Sequence, residues 1–68
     1  KRNELCALIV YEAGKTWTEA LGDVDEAIDF INFYAREEVR LCEKNTNLEA
    51  RGLVSVIAPW NFPLAIPC

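Results

Sequence analysis

The side chain best placed to do chemistry in this 68-residue sequence is Asn61, in the run Pro59-Trp60-Asn61-Phe62-Pro63. A carboxamide does not ionise, so its chemistry is that of a neutral hydrogen-bonding group held in one place. What would hold it lies on either side. Leu53 to Ala58 is a nearly continuous apolar and β-branched run, the composition of a central strand covered on both faces. Pro59 ends such a strand because it has no N–H for the ladder, and Pro63 has the fixed φ suited to the first turn of a following helix. Asn61 is therefore expected at the carboxyl end of a strand, the edge where ligands bind in open α/β sheets. Read singly, Asn61 also suits a turn or helix cap, and Trp60 and Phe62 suit an ordinary core.

Other chemistries are poorly served. Cys6, Cys42 and Cys68 are odd in number and far apart, and the chain has no histidine. The short-spaced Cys/His pattern of a zinc site is missing, so no metal is expected and the cysteines read as reduced thiols of an intracellular protein. A net charge of −4 without a basic cluster leaves nothing to neutralise phosphates, which argues against nucleic acid as a partner. The first residues lack the cationic start, apolar centre and cleavage site of a signal peptide. The longest apolar stretch, Leu53 to Cys68, is interrupted by Ser55, Asn61 and three prolines and falls short of the ~20 residues that span a bilayer.

Two helices are expected before the strand. From about Asn3 to Tyr11, Leu5, Leu8 and Ile9 form an apolar stripe at helical spacing, and Gly14 is placed to stop the helix in the left-handed conformation. Thr16 and Glu19 then have the spacing of a capping box. From Trp17 the positions Ala20, Leu21, Val24, Ala27, Ile28, Ile31, Tyr34 and Ala35 keep a period near 3.6. Glu19, Asp23, Glu26 and Asp29 fall off the centre of that stripe and read as a solvated face. Taken to Leu41 this helix would be ~37 Å long, longer than the ~28 Å diameter of a compact chain of this size. It must lean on something larger, or the chain must self-associate. The polar residues Glu43 to Arg51 read as a loop. The strand raises the same difficulty, because its backbone needs neighbours and no second strand of comparable quality is present.

The run Pro59-Trp60-Asn61-Phe62-Pro63 after an apolar strand resembles the Pro-Trp-Asn-Phe-Pro signature of the aldehyde dehydrogenase superfamily. Upstream, Tyr11-Glu12-Ala13-Gly14-Lys15-Thr16-Trp17, Asp25-Glu26-Ala27-Ile28-Asp29-Phe30 and Phe33-Tyr34-Ala35-Arg36 resemble the helical region of its pyrroline-5-carboxylate dehydrogenase subgroup. The short connection from Tyr34 to Pro59 is more like the bifunctional proline-utilisation proteins than the monofunctional enzymes. The resemblance covers essentially the whole chain, and the chain covers a small part of a catalytic domain of that family.

The resemblance implies an α/β fold: residues 1–68 would be part of the Rossmann-like, N-terminal cofactor-binding domain, with two helices, one buried strand and the start of a helix, and would not be autonomous. It also implies an oxidoreductase that converts L-glutamate γ-semialdehyde to glutamate with NAD or NADP, and an FAD only where a proline dehydrogenase domain lies elsewhere in the polypeptide. In such enzymes a cysteine thiolate attacks the aldehyde, the thiohemiacetal gives up hydride, and water hydrolyses the thioester. Asn61 matches the asparagine that stabilises the oxyanion. Ile57, Ala58, Pro59 and Trp60 match the segment lining the ribose and nicotinamide side of the cofactor. Phe62 matches an aromatic wall of the aldehyde tunnel, and Glu12 a glutamate near the amino and carboxylate end of the substrate, although a solvated surface position suits Glu12 equally. The nucleophile and general base belong to later motifs, so none of the three cysteines takes that role. The expected setting is a cytoplasmic homo-oligomer, or the mitochondrial matrix in a eukaryote. Pro67, four residues after Pro63, would remove an early hydrogen bond from the helix expected there, leaving an irregular first turn. The alternatives are another semialdehyde dehydrogenase, for example one acting on succinate semialdehyde, or a non-enzymatic helical module that self-associates through its apolar stripe.

Overall fold

Gly14 reverses the chain. Its φ of 66° and ψ of 23° place it in the left-handed region, which costs glycine nothing, and its N–H donates to the Val10 carbonyl at 3.1 Å. In the computed structural model, which describes residues 1–68, this glycine separates α1 (Arg2–Ala13) from α2 (Trp17–Lys44). The expected capping box opens α2: Thr16 Oγ1 accepts from the Glu19 N–H at 3.3 Å, while the Glu19 carboxylate accepts from the Thr16 N–H at 2.9 Å. Two otherwise orphaned donors are satisfied reciprocally.

The helices pack as a short hairpin. Cys6 and Ile9 of α1 meet Ala20 and Val24 of α2, with Val10, Ala13, Leu21 and Leu64 around them. The buried side of α1 is thus the Cys6–Ile9 side, and Leu5 and Leu8 of the expected stripe stand exposed. Small residues at positions 6 and 20 let the two backbones approach. Arg2 closes the far end of the hairpin on Asp25, its Nε donating at 2.7 Å. At 1.5 Å per residue α1 is ~18 Å long and α2 ~42 Å. The second half of α2 therefore projects past α1, leaving Ile31, Tyr34 and Leu41 exposed. The extent of 44 Å and radius of gyration of 14.8 Å exceed the ~11 Å radius of a compact 68-residue chain.

The α/β expectation is corrected here. The structure has two helices and no strand or sheet, so neither the buried strand nor a Rossmann-like layer is present. Leu53 to Ala58 is extended without partners, and Leu53 and Ile57 are almost fully exposed, at 106% and 96%. A strand is made by its neighbours' hydrogen bonds, and no other segment of this chain supplies them. The helix expected after Pro63 is likewise a series of turns to Pro67, as two prolines four residues apart would impose.

Candidate functional site

The turns from Trp60 to Pro67 bring the end of the chain back onto the helix hairpin. Phe62 N–H donates to the Pro59 carbonyl at 3.2 Å, closing a tight turn with Trp60 and Asn61 as its central residues. Two side chains, Lys15 and Asp23, bind this end of the chain to the helix hairpin. Lys15 Nζ, just past Gly14, donates to the Asn61 carbonyl at 2.8 Å, and its ammonium sits 4.7 Å from the centroid of the Phe62 ring, within cation–π range. Deeper, the Ala65 N–H donates to Asp23 Oδ1 at 2.9 Å. Asp23 is only 2% exposed, Ala65 is fully buried, and Asp23 Oδ2 has no partner.

Between the turn and the start of α2 runs an open groove of about 770 Å³. Trp60, Asn61 and Phe62 form one wall, Gly14 and Lys15 its end, and Glu19, Asp23, Asp25, Glu26 and Asp29 the other wall. Lys15 is the one cation among these lining residues. The Thr16 N–H and hydroxyl hold the Glu19 carboxyl below its ordinary pKa, and hydrogen bonding to Arg2 does the same for Asp25. Both carboxylates are thereby committed to helix contacts.

Of the residues expected in the site, Trp60, Asn61 and Phe62 come together on the groove. The Asn61 carboxamide takes no hydrogen bond within the chain; only its backbone carbonyl is engaged. Ile57 and Ala58 lie on the extended segment leading to the groove, Ile57 exposed and Ala58 half-buried, and Pro59 supplies the turn carbonyl. Glu12 stands exposed on the last turn of α1 and does not line the groove. Lys15 is not singled out by the sequence, and the reading of Asp23 as part of a solvated face is corrected, since it is buried. For Asp23 a signal exists: it lies three residues after Ala20 and four before Ala27, both buried, hence on the same side of α2. Its carboxylate hid that register.

A dinucleotide fits these residues along one wall only. Ile57 and Trp60 offer exposed apolar faces suited to a ring or a ribose. The start of α2, where a helix would welcome phosphate, already holds the Glu19 carboxylate, so the phosphates have no seat there.

The family model described as "Aldehyde dehydrogenase family" matches residues 1–68. Among curated proteins, the chain is 42% identical to the 1-pyrroline-5-carboxylate dehydrogenases of Staphylococcus epidermidis, Staphylococcus haemolyticus and Staphylococcus aureus, with 97% of this chain and 15% of each relative covered. The chain thus spans about 15% of the length of the relatives it matches. Each alignment runs over 77 residues, more than the chain contains, so these relatives carry residues within the matched stretch that the chain lacks. No solved structure matches.

Proposed function

The chain belongs to the aldehyde dehydrogenase family, and on that premise we propose that it is part of an enzyme oxidising L-glutamate γ-semialdehyde, the open form of pyrroline-5-carboxylate, to glutamate. The observation that carries the substrate is the 42% identity, along 97% of the chain, to proteins named 1-pyrroline-5-carboxylate dehydrogenase.

In this reading Asn61 is the oxyanion donor. When a thiolate adds to an aldehyde, the carbonyl oxygen gains negative charge, and a fixed neutral N–H aimed at that oxygen stabilises it without needing a counter-charge. One such donor contributes about 3 to 4 kcal/mol. The absence of any intrachain partner for the Asn61 carboxamide leaves its donors available. Phe62 forms an aromatic wall of the aldehyde's approach. Ile57, Ala58, Pro59 and Trp60 present an apolar edge to the cofactor. NAD, or NADP, would supply the hydride acceptor when held along that edge. Glu12, exposed on the last turn of α1 and off the groove, is assigned to the amino and carboxylate end of the substrate on the resemblance alone. The thiolate and the general base come from residues beyond these 68, so residues 1–68 are one portion of a cofactor-binding domain and do not fold or function by themselves. The short connection from Tyr34 to Pro59 is the feature on which a bifunctional polypeptide with a proline dehydrogenase domain is proposed.

Steady-state assay of the complete polypeptide with glutamate semialdehyde and succinate semialdehyde tests the substrate. A kcat/KM preference of at least about tenfold for the glutamate derivative is expected from recognition of its added amino group. Equal turnover of the two would remove the subgroup assignment and leave a general semialdehyde dehydrogenase.

A further inference from the structure

The best-buried charged side chain in the molecule is not in any motif. Asp23 is 2% exposed, spends one oxygen on the Ala65 N–H across 42 residues of sequence, and leaves the other without a partner. Burying a carboxylate with an unmet oxygen is costly, so its single contact is the feature to account for. That contact is paired with another. In an α-helical turn after the motif, the Ala65 N–H would donate to the Asn61 carbonyl four residues back. Here Lys15 takes the carbonyl and Asp23 takes the N–H. The two side chains divide one potential helical hydrogen bond between them and hold its two halves on the helix hairpin instead.

We propose that Asp23 and Lys15 are positioning residues that anchor the Asn61 turn, holding the asparagine in place for oxyanion stabilisation; this rests on the role given to Asn61 above. Asp23 fixes the turn from below through buried backbone. Lys15 fixes it at Asn61 itself and, over the Phe62 ring, at the next side chain. Neither reaches the reacting atoms.

The test uses the complete polypeptide and the variants Asp23→Ala, Asp23→Asn and Lys15→Met. A misplaced catalytic group costs up to ~100-fold in rate, so Asp23→Ala is expected to lower kcat by about 10- to 100-fold with KM for aldehyde and for NAD within about twofold of wild type. Asp23→Asn keeps an acceptor at Oδ1 and should restore kcat to within about threefold, while Lys15→Met should lower kcat several-fold by freeing the Asn61 carbonyl. Amide hydrogen exchange at Ala65 supplies a readout independent of turnover: fast in Asp23→Ala, protected in Asp23→Asn. A folded Asp23→Ala enzyme with wild-type kcat, or an Asp23→Asn enzyme as impaired as Asp23→Ala, overturns the proposal. Should Asp23→Ala fail to fold, an unchanged kcat in Lys15→Met overturns it and a lowered kcat at constant KM supports it. Should the wild-type polypeptide oxidise no aldehyde, the functional reading fails, and with it the catalytic purpose of the anchor. Ala65 exchange would then still show whether Asp23 holds the turn.

Discussion

Asn61 shows what a short motif can and cannot convey. Two prolines and two aromatics around a carboxamide announce a rigid setting for a hydrogen-bonding group, and the structure places Trp60, Asn61 and Phe62 on one groove wall. The turn that carries the carboxamide is tied down elsewhere, by Lys15 on the Asn61 backbone carbonyl and Asp23 on the Ala65 N–H. Neither belongs to the motif, and both are acquired through contacts more than 40 residues distant in sequence. The expected consequence at this scale is specific. Replacing Asn61 with alanine in the complete polypeptide should lower kcat by about 10²- to 10³-fold while the Kd for NAD, measured by fluorescence titration, stays within about twofold. A variant with wild-type kcat would take Asn61 out of the mechanism.

Local chemistry determines the helices, and so they were legible. Gly14 at positive φ, the Thr16–Glu19 box and the 3.6-residue period of α2 all act within a few residues, and each appears where expected. The buried face of α1 is hard to read in the sequence because its small thiol, Cys6, does not stand out beside the large aliphatics. Packing between the two helices favours a small side chain at the closest approach, so Cys6 is buried and Leu5 and Leu8 are not. The box also ties α2 to pH. Hydrogen bonds from Thr16 depress the Glu19 pKa, and Arg2 depresses that of Asp25. A depressed folded-state pKa means stabilisation fully present above the unfolded value, near ~4, and lost as pH falls through the lower folded value. Protection factors for the first-turn amides of α2 should therefore fall on acidification below about pH 4. Glu19→Gln should weaken that dependence, and an unaltered acid profile in this variant would dissociate the box from it.

On the scale of the whole molecule, the chain is a helix hairpin with a tail folded beneath it and a long helix reaching past its support. Ile31, Tyr34 and Leu41 on α2, and Leu53 and Ile57 on the extended segment, are exposed together, more apolar surface than an isolated protein keeps in water. The isolated 68-residue chain is therefore expected to melt without cooperativity and to aggregate as concentration rises, in circular dichroism and sedimentation velocity respectively. A discrete oligomer with a sharp melt would instead favour the self-associating helical module. Helix starts, the glycine stop and the family resemblance were settled by the sequence alone, because each depends on neighbours within a turn or on the identity of consecutive residues. The strand was not: an apolar β-branched run states a preference, but pairing is supplied by other segments, and here Leu53 to Ala58 meets none. Only the tertiary structure decided that Asp23 leaves the acidic face for the interior and that Lys15 closes on Asn61. Periodicity orients a side chain toward one side of a helix, whereas its partner there is chosen by where a distant part of the chain returns.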